Sequence, residues 1–244
     1  MKDNFSTVAQ PYAKYRPDYP LEMVDFVVSQ VGCRDMALDV GTGNGQVAEK
    51  LARHFRSVYA TDISAKQLAN AVHRDNVYYS VSAAEKTVFR DGIFNLITVA
   101  QAIHWFDFEE FYTEVRRIAA RDGVLAVMGY GLLRSNPESD AIIHKYHYDI
   151  LGNYWDSERH YLDQEYSTIP FPFEEVTAPK FFNKMIWDFE QLAGYFDTWS
   201  AASHYKKQHG SDPFDLVRDE LRLSWERNNG EVNVPMLLRV GKIK

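Results

Sequence analysis

Between Leu38 and Ala48 the chain reads Leu38-Asp39-Val40-Gly41-Thr42-Gly43-Asn44-Gly45-Gln46-Val47-Ala48, an apolar run, three glycines at alternate positions and an amphipathic continuation. That spacing interrupts both strand and helix, so the segment reads as a turn joining one to the other. Glycine accepts backbone angles other residues avoid, and it lets a ligand approach main-chain N–H groups with no Cβ in the way. Twenty-one residues after Gly41, Asp62 closes a second apolar run in Tyr59-Ala60-Thr61-Asp62-Ile63. A carboxylate there can accept hydrogen bonds from both hydroxyls of a ribose. A lone Gly-x-Gly-x-Gly says little. Strand, glycine turn, helix, strand and terminal acid in that order predict a βαβ unit that binds a nucleoside.

The rest of residues 37–131 repeats the same alternation. Strands are expected at Ala37–Val40, Ser57–Thr61, Val77–Ser82, Phe94–Ala100 and Val124–Tyr130. Helices are expected at Gln46–His54, Ala65–His73 and Phe108–Ala120, with Ser64 and Asp107 as N-caps. Strands apolar at nearly every position, such as Leu96-Ile97-Thr98-Val99-Ala100, suit a parallel sheet covered on both faces. The fold class is therefore α/β, a doubly wound Rossmann-like sheet. Beyond Gly131 the texture becomes aromatic-rich, and Pro170-Phe171-Pro172 breaks any helix there. Residues 132–173 read as a helical insertion. A strand at Phe181–Asp188, helices at Phe189–Trp199 and Asp212–Trp225 and a last strand at Val232–Val240 follow, with Pro235 favouring an edge or bulge. With no repeat or flexible linker, residues 1–244 read as one domain.

Thirty-four acidic against 27 basic residues give a formal charge of −7, and no Lys/Arg run exceeds a pair, so a nucleic-acid partner is not expected. A single cysteine, Cys33, excludes an intrachain disulfide and a cysteine metal cluster and suits a reducing cytoplasm. The start lacks a signal peptide's apolar stretch, and no segment approaches the roughly 20 apolar residues of a membrane span. A cytoplasmic protein with no membrane partner is expected. Oligomeric state leaves no mark in the pattern.

The turn also discriminates among adenosine ligands. The dinucleotide pattern Gly-x-Gly-x-x-Gly would need glycine where Gln46 stands, and Asp39 before the turn suits a ligand carrying a cationic amine better than a pyrophosphate. S-adenosylmethionine is favoured over NAD. Leu38–Gly45, Thr61-Asp62-Ile63-Ser64 and Ser82-Ala83-Ala84-Glu85 resemble the first three motifs of class I S-adenosylmethionine-dependent methyltransferases. The opening Tyr12–Pro20, the segment Gln101–Asp107, Trp199-Ser200 and the ending Val234–Gly241 are similar to the small-molecule members near the trans-aconitate methyltransferases. The resemblance implies seven strands with the last antiparallel. It further implies a cover segment over residues 1–30, with Tyr12 and Arg16 folding onto the cofactor, and an insertion at 132–173 on the substrate side. Gly41 and Gly43, with Thr42 between them, would face the methionine part, Asp62 the ribose, Ile63 the adenine face, and Ala84 with Glu85 the adenine edge.

Methyl transfer from a sulfonium mainly requires the acceptor to be held at attack distance in a dry site. Gln101 and His104 follow the fourth strand, at the edge where such sheets bind ligands. Gln101 is a candidate for the cofactor's methionine end. His104 is the candidate catalytic base, with packing beside Trp105 as the alternative. A hydroxyl or amine acceptor needs that base and predicts a rate rising through a pKa near about 6.5. A carboxylate acceptor, the favoured small-molecule substrate, instead needs a fixed cation, for which Arg134, Lys145, Arg159, Lys206 and Lys207 are candidates. Asp140, His144 and His147 share a helical spacing, but sulfonium chemistry needs no Lewis acid and no metal is expected. Most of the later aromatics read as packing. Two other functions use the same turn: an S-adenosylmethionine-binding regulator without turnover, and an NAD-dependent oxidoreductase.

Overall fold

A computed structural model describes residues 15–243. Tyr12 and the opening of the N-terminal segment lie outside the described residues. In chain order the main elements are α1 (Leu21–Ser29), β1 (Met36–Val40), α2 (Gln46–Leu51), β2 (Ser57–Asp62), α3 (Ala65–Leu68), β3 (Val77–Val81), β4 (Phe94–Ala100), α4 (Phe108–Ile118) and β5 (Ala119–Tyr130). They continue as α5 (Pro137–His144), a π-helical turn at Lys145–Ile150, α6 (His160–Asp163), β6 (Glu174–Val176), β7 (Phe182–Ile186), α7 (Phe189–Asp197), α8 (Ser200–His209), α9 (Arg218–Arg227) and β8 (Glu231–Lys242). No helix among the described residues is long and apolar enough to cross a membrane.

The sheet runs β3-β2-β1-β4-β5-β8-β6, with β7 pairing β8. Strands β1 to β5 pair in parallel, and β6, β7 and β8 pair antiparallel. This is the mixed Rossmann-like sheet with antiparallel last strands, with eight strands in place of seven. The eighth is the short β6, which follows the Pro170-Phe171-Pro172 break. In-register pairing of Ala37 with Leu96 and of Leu96 with Val124 sends alternate residues to opposite faces. Ala37, Leu96, Val124, Ala126 and Met128 pack on one side, and Leu38, Val40, Ile97, Val99, Leu125 and Val127 on the other. Helix α1 buries Met23, Val24, Val27 and Val28 in the first layer, and α4 buries Phe111, Tyr112, Val115 and Ile118 in the second.

Caps set several helix starts. Ser64 accepts from the Gln67 amide, Asp107 from the Glu110 amide and Asn136 from the amides of Glu138 and Ser139. Other boundaries obey tertiary contacts. Helix α3 stops at Leu68 rather than His73, and beyond it the Val72 amide donates to the Asn44 carbonyl while its carbonyl accepts from the Tyr79 hydroxyl. Those bonds bring the segment beside the glycine turn. Helix α8 was not expected, because it buries little beyond Ala201 and Ala202 and has no strong apolar period. Pro235 lies inside β8 rather than at an edge. It sits where the strand changes partner, Met236 pairing with Tyr130 of β5 and Pro235 with Phe182 of β7, so its missing N–H falls at the switch.

The segment before β6 is strapped to the sheet by one side chain. Arg239 on β8 donates through Nη1 to the carbonyls of Tyr166 (3.1 Å) and Ile169 (2.7 Å). Its Nε and Nη2 form a two-pronged pair with Glu175, and its guanidinium lies 4.5 Å over the Phe171 ring. Arg239→Gln is expected to raise amide hydrogen exchange across residues 166–176 while leaving β1, β4 and β5 protected. Unchanged protection of that segment would show that the strap is dispensable.

Candidate active site

All the parallel strands end at one edge, and the chain reverses direction across the sheet between β1 and β4, the position where open α/β sheets form a ligand crevice. A cleft of about 800 Å³ occupies that position. Its floor is the glycine turn, where Gly41, Gly43 and Gly45 have φ of 64°, 57° and 85°, left-handed values that penalise other residues. A Cβ on Gly41 would stand 2.7 Å from the Ala102 Cβ, whereas one on Gly43 would meet nothing within 4 Å. The turn therefore needs glycine at Gly41 for close packing, and at Gly43 it offers bare backbone to the open space.

Two carboxylates hold the turn in place. Asp62, at the end of β2, accepts from the Gly43 amide with Oδ2 and from the Ser64 amide with Oδ1, both at 2.8 Å. Asp39 is buried within β1 and accepts from the hydroxyls of Thr42 (2.5 Å) and Thr98 (2.7 Å). Burial pushes the Asp39 carboxyl up to about 6, against the lowering effect of those hydroxyls and with a smaller upward push from Asp62. Asp39 is thus first a brace of the turn.

Of the residues singled out in the sequence, Arg16, Asp39, Gly41, Thr42, Gly43, Asp62, Ile63 and Gln101 line this cleft. Ala84 and Glu85 do not. Ala84 is buried, and Glu85 accepts from the Asp107 amide at 3.3 Å beside α4. Sequence reasoning missed Tyr130, whose hydroxyl accepts from Arg16 at 3.3 Å and which lines the cleft. Its only signal was its place at the end of the fifth strand. Arg16 also donates to the Thr198 carbonyl at 2.9 Å, tying the N-terminal segment to the chain beyond α7.

A second cavity of about 470 Å³ shares Arg16, Gln101 and Trp105 with the cleft and adds His104, Trp155, Asp156 and Arg159. His104 follows Gln101 by one 3₁₀ turn and is buried, its Nδ1 lying 3.3 Å from the Tyr166 hydroxyl. The expected titration near neutrality is corrected here, because burial, helped by the charge of Arg159, pushes the imidazole down to about 3. His104 is a neutral ring at physiological pH. Among the cation candidates, Arg159 alone lines this cavity. Lys145 pairs with Glu220, Lys206 with Asp197 and Asp212, and Arg134 sits in a bridge to Asn233. The helical trio does not converge: Asp140 accepts from the Ser135 amide, His144 lies against the Tyr148 ring, and His147 is buried against Trp155 and Trp199.

A doubly wound sheet with an acid-ended second strand and a glycine cradle at the switch point has the architecture of a methyltransferase domain, and the cleft suits S-adenosylmethionine. It offers the Asp62 carboxylate at the end of the second strand, open backbone at Gly43 and a guanidinium, Arg16, within the same walls. A family model described as a methyltransferase domain matches residues 38–127. A Dictyostelium discoideum protein provisionally named a methyltransferase is 33% identical over 98% of this chain and 95% of its own. A solved structure of a provisionally assigned type II methyltransferase from Anaeromyxobacter dehalogenans is 34% identical, covers 94% of this chain and 98% of its own, and superposes with a TM-score of 0.87. A malonyl-[acyl-carrier protein] O-methyltransferase of Geobacter sulfurreducens is 31% identical over 38% of each chain. The chain belongs to the class I S-adenosylmethionine-dependent methyltransferases, and S-adenosylmethionine is its cofactor.

Since both oxygens of Asp62 hold backbone amides, Asp62→Asn is no milder than Asp62→Ala at the turn, because one amide then faces an NH₂ group. Calorimetry with S-adenosylhomocysteine should show at least a tenfold loss for both variants, and wild-type affinity in either would remove Asp62 from the cofactor's contacts. For Asp39 the folded pKa lies above the unfolded one. Its stabilising contribution is complete below about pH 4 and is lost as pH rises through about 6, on the order of 3 kcal/mol. Wild type should therefore gain stability relative to Asp39→Asn in denaturant melts as the pH falls from 7 to 4. Parallel curves would contradict the buried position.

Proposed function

We propose that the methyl acceptor is a small organic carboxylate held in the second cavity by Arg159. The observation that carries this reading is the state of the guanidinium. Nε of Arg159 donates to Asp163 at 3.1 Å and its Cζ lies 4.6 Å from the centre of the Trp155 ring, while neither terminal nitrogen has a partner among the described residues. Ion pair and ring fix the fork and leave its bidentate end available, the arrangement that recognises a carboxylate. The Geobacter relative, named for O-methylation of a malonyl group, agrees with an oxygen acceptor.

When bound, S-adenosylmethionine supplies a methyl group already activated by the sulfonium charge. In this reading Gly41, Thr42 and Gly43 carry its methionine portion, Asp62 the ribose and Ile63 the adenine face. Arg16 and Gln101 reach the methionine end, and Tyr19 joins Arg16 in the cleft wall. Trp105, common to both cavities, walls the path between cofactor and acceptor and excludes water. A carboxylate is ionised at neutral pH and needs no proton removed, which suits a site whose histidine is almost non-basic.

A methyl-acceptor screen with radiolabelled S-adenosylmethionine should yield base-labile methyl esters. Arg159→Gln should raise KM for the acceptor roughly 10- to 100-fold, the loss of about 1.5–3 kcal/mol of charge-assisted hydrogen bonding, with kcat little altered. The rate should be flat between about pH 6 and 9. A rate that climbs through neutrality and disappears in His104→Gln would sink the carboxylate reading.

A further inference from the structure

Gln101, His104, Tyr130 and Tyr166 are joined by a chain of polar contacts whose proton directions can be worked out from one end. The Tyr130 carbonyl can only accept, so the Gln101 group 3.3 Å from it is the amide NH₂. The opposite orientation would set two oxygens against each other. The carboxamide oxygen of Gln101 consequently faces the Tyr166 hydroxyl at 3.4 Å and takes its proton. Having given its proton to Gln101, the Tyr166 oxygen can only accept from His104 Nδ1, 3.3 Å away. Nδ1 must then carry the ring proton, and Nε2, which engages no protein group among the described residues, keeps a bare lone pair.

The backbone on both sides of this chain is held in unusual conformations. Gln101 and Tyr166 are both non-glycine residues in the left-handed region, with φ of 52° and 59°. The Gln101 amide is anchored to the Met128 carbonyl at 2.9 Å, and the Tyr166 carbonyl is clasped by Arg239. Such conformations persist where the surroundings over-determine them, and they gather at functional sites. Tyr166 is fully buried, with its hydroxyl within reach of both Gln101 and His104. Asp156 lines the same cavity, but its Oδ2 is buried away from it, which leaves His104 Nε2 as the acceptor.

We infer that Tyr166 is a positioning residue that holds His104 in the Nδ1–H tautomer, so that Nε2 faces the cavity as a hydrogen-bond acceptor and selects carboxylic acids that also carry a hydroxyl. The cavity then sets the guanidinium of Arg159, beside the Arg16 it shares with the first cleft, against the bare His104 Nε2, a pattern complementary to a small hydroxy acid. His104 takes no proton from the acceptor. It orients a donor already present on it. The selectivity half of the inference rests on the assignment of this cavity to the acceptor, whereas the tautomer stands on the hydrogen-bond geometry alone.

The two halves are tested separately. In ¹⁵N-histidine-labelled protein, the His104 signal, assigned by its absence in His104→Gln, should report a proton on Nδ1. Gln101→Leu, which removes the acceptor for the Tyr166 hydroxyl without touching His104, should let that hydroxyl turn to Nδ1 and move the ring proton to Nε2. Tyr166→Phe should leave a mixture of tautomers. A wild-type ring protonated on Nε2, or a tautomer indifferent to Gln101→Leu, overturns the positioning role. For selectivity, kcat/KM is compared for malate against succinate, lactate against propionate and 3-hydroxybutyrate against butyrate. The hydroxylated member should be preferred at least tenfold in wild type, through KM, and the preference should shrink to under threefold in Tyr166→Phe. Equal use of both members overturns the selectivity, and failure of every acid overturns the carboxylate assignment beneath it while leaving the tautomer result to be read on its own.

Discussion

A carboxylate in the middle of a parallel sheet is costly, and Asp39 is placed there, between β2 and β4, with Thr98 beside it on one strand and Thr42 above it in the turn. The two hydroxyl donors make the position tolerable. They also tie the last residues of β1 to the first turn that follows, so the glycine loop has one geometry. Asp62 completes the arrangement from β2 by holding the Gly43 and Ser64 amides. Both acids lie at the carboxyl ends of adjacent strands whose register is set by apolar neighbours packed on both faces. The cleft inherits its shape from that pairing: remove the braces and the open backbone at Gly43 no longer has a defined direction.

The antiparallel end of the sheet contributes to the site by a different route. Strand β8, between β5 and β6, carries Arg239, which grips the carbonyls of Tyr166 and Ile169 and the carboxylate of Glu175. This brings Tyr166 from a segment far along the chain to the turn after β4, where Gln101 and His104 wait. Arg159 reaches the same cavity from the helical stretch between β5 and β6, held by Asp163 and Trp155. The first cleft is therefore lined by residues no later than Tyr130, and the second cavity is assembled from parts of the chain farther apart. Such a division lets one nucleoside-binding core serve many acceptors through changes in the covering segments.

The parallel half of the fold was legible because its determinants are local. Continuous apolar runs, glycines at alternate positions and an acid at the end of the second run are consequences of a doubly covered sheet and a tight turn, and they stand contiguously in the chain. The residues of the cleft followed from the same pattern, Asp62 and Gly43 above all. Less was legible where contacts come from afar. Helix α3 ends early because Val72 bonds to Asn44 and Tyr79, and α8 has only two small buried residues to announce it. Ala84 and Glu85 share the family's third motif yet stand outside the cleft, Ala84 buried and Glu85 accepting from the Asp107 amide beside α4.

By itself the sequence determined the class of fold, the place of the glycine turn and the acid that answers it, because strand periodicity and backbone conformation are written in residues a few positions apart. Tertiary structure alone decided that His104 is neutral, that Arg159 rather than four other cations enters the cavity, and that Tyr166 stands between Gln101 and His104. Proton affinity depends on desolvation, and a charge acts on what lies within a few ångströms of it. Neither quantity exists until distant parts of the chain have packed together.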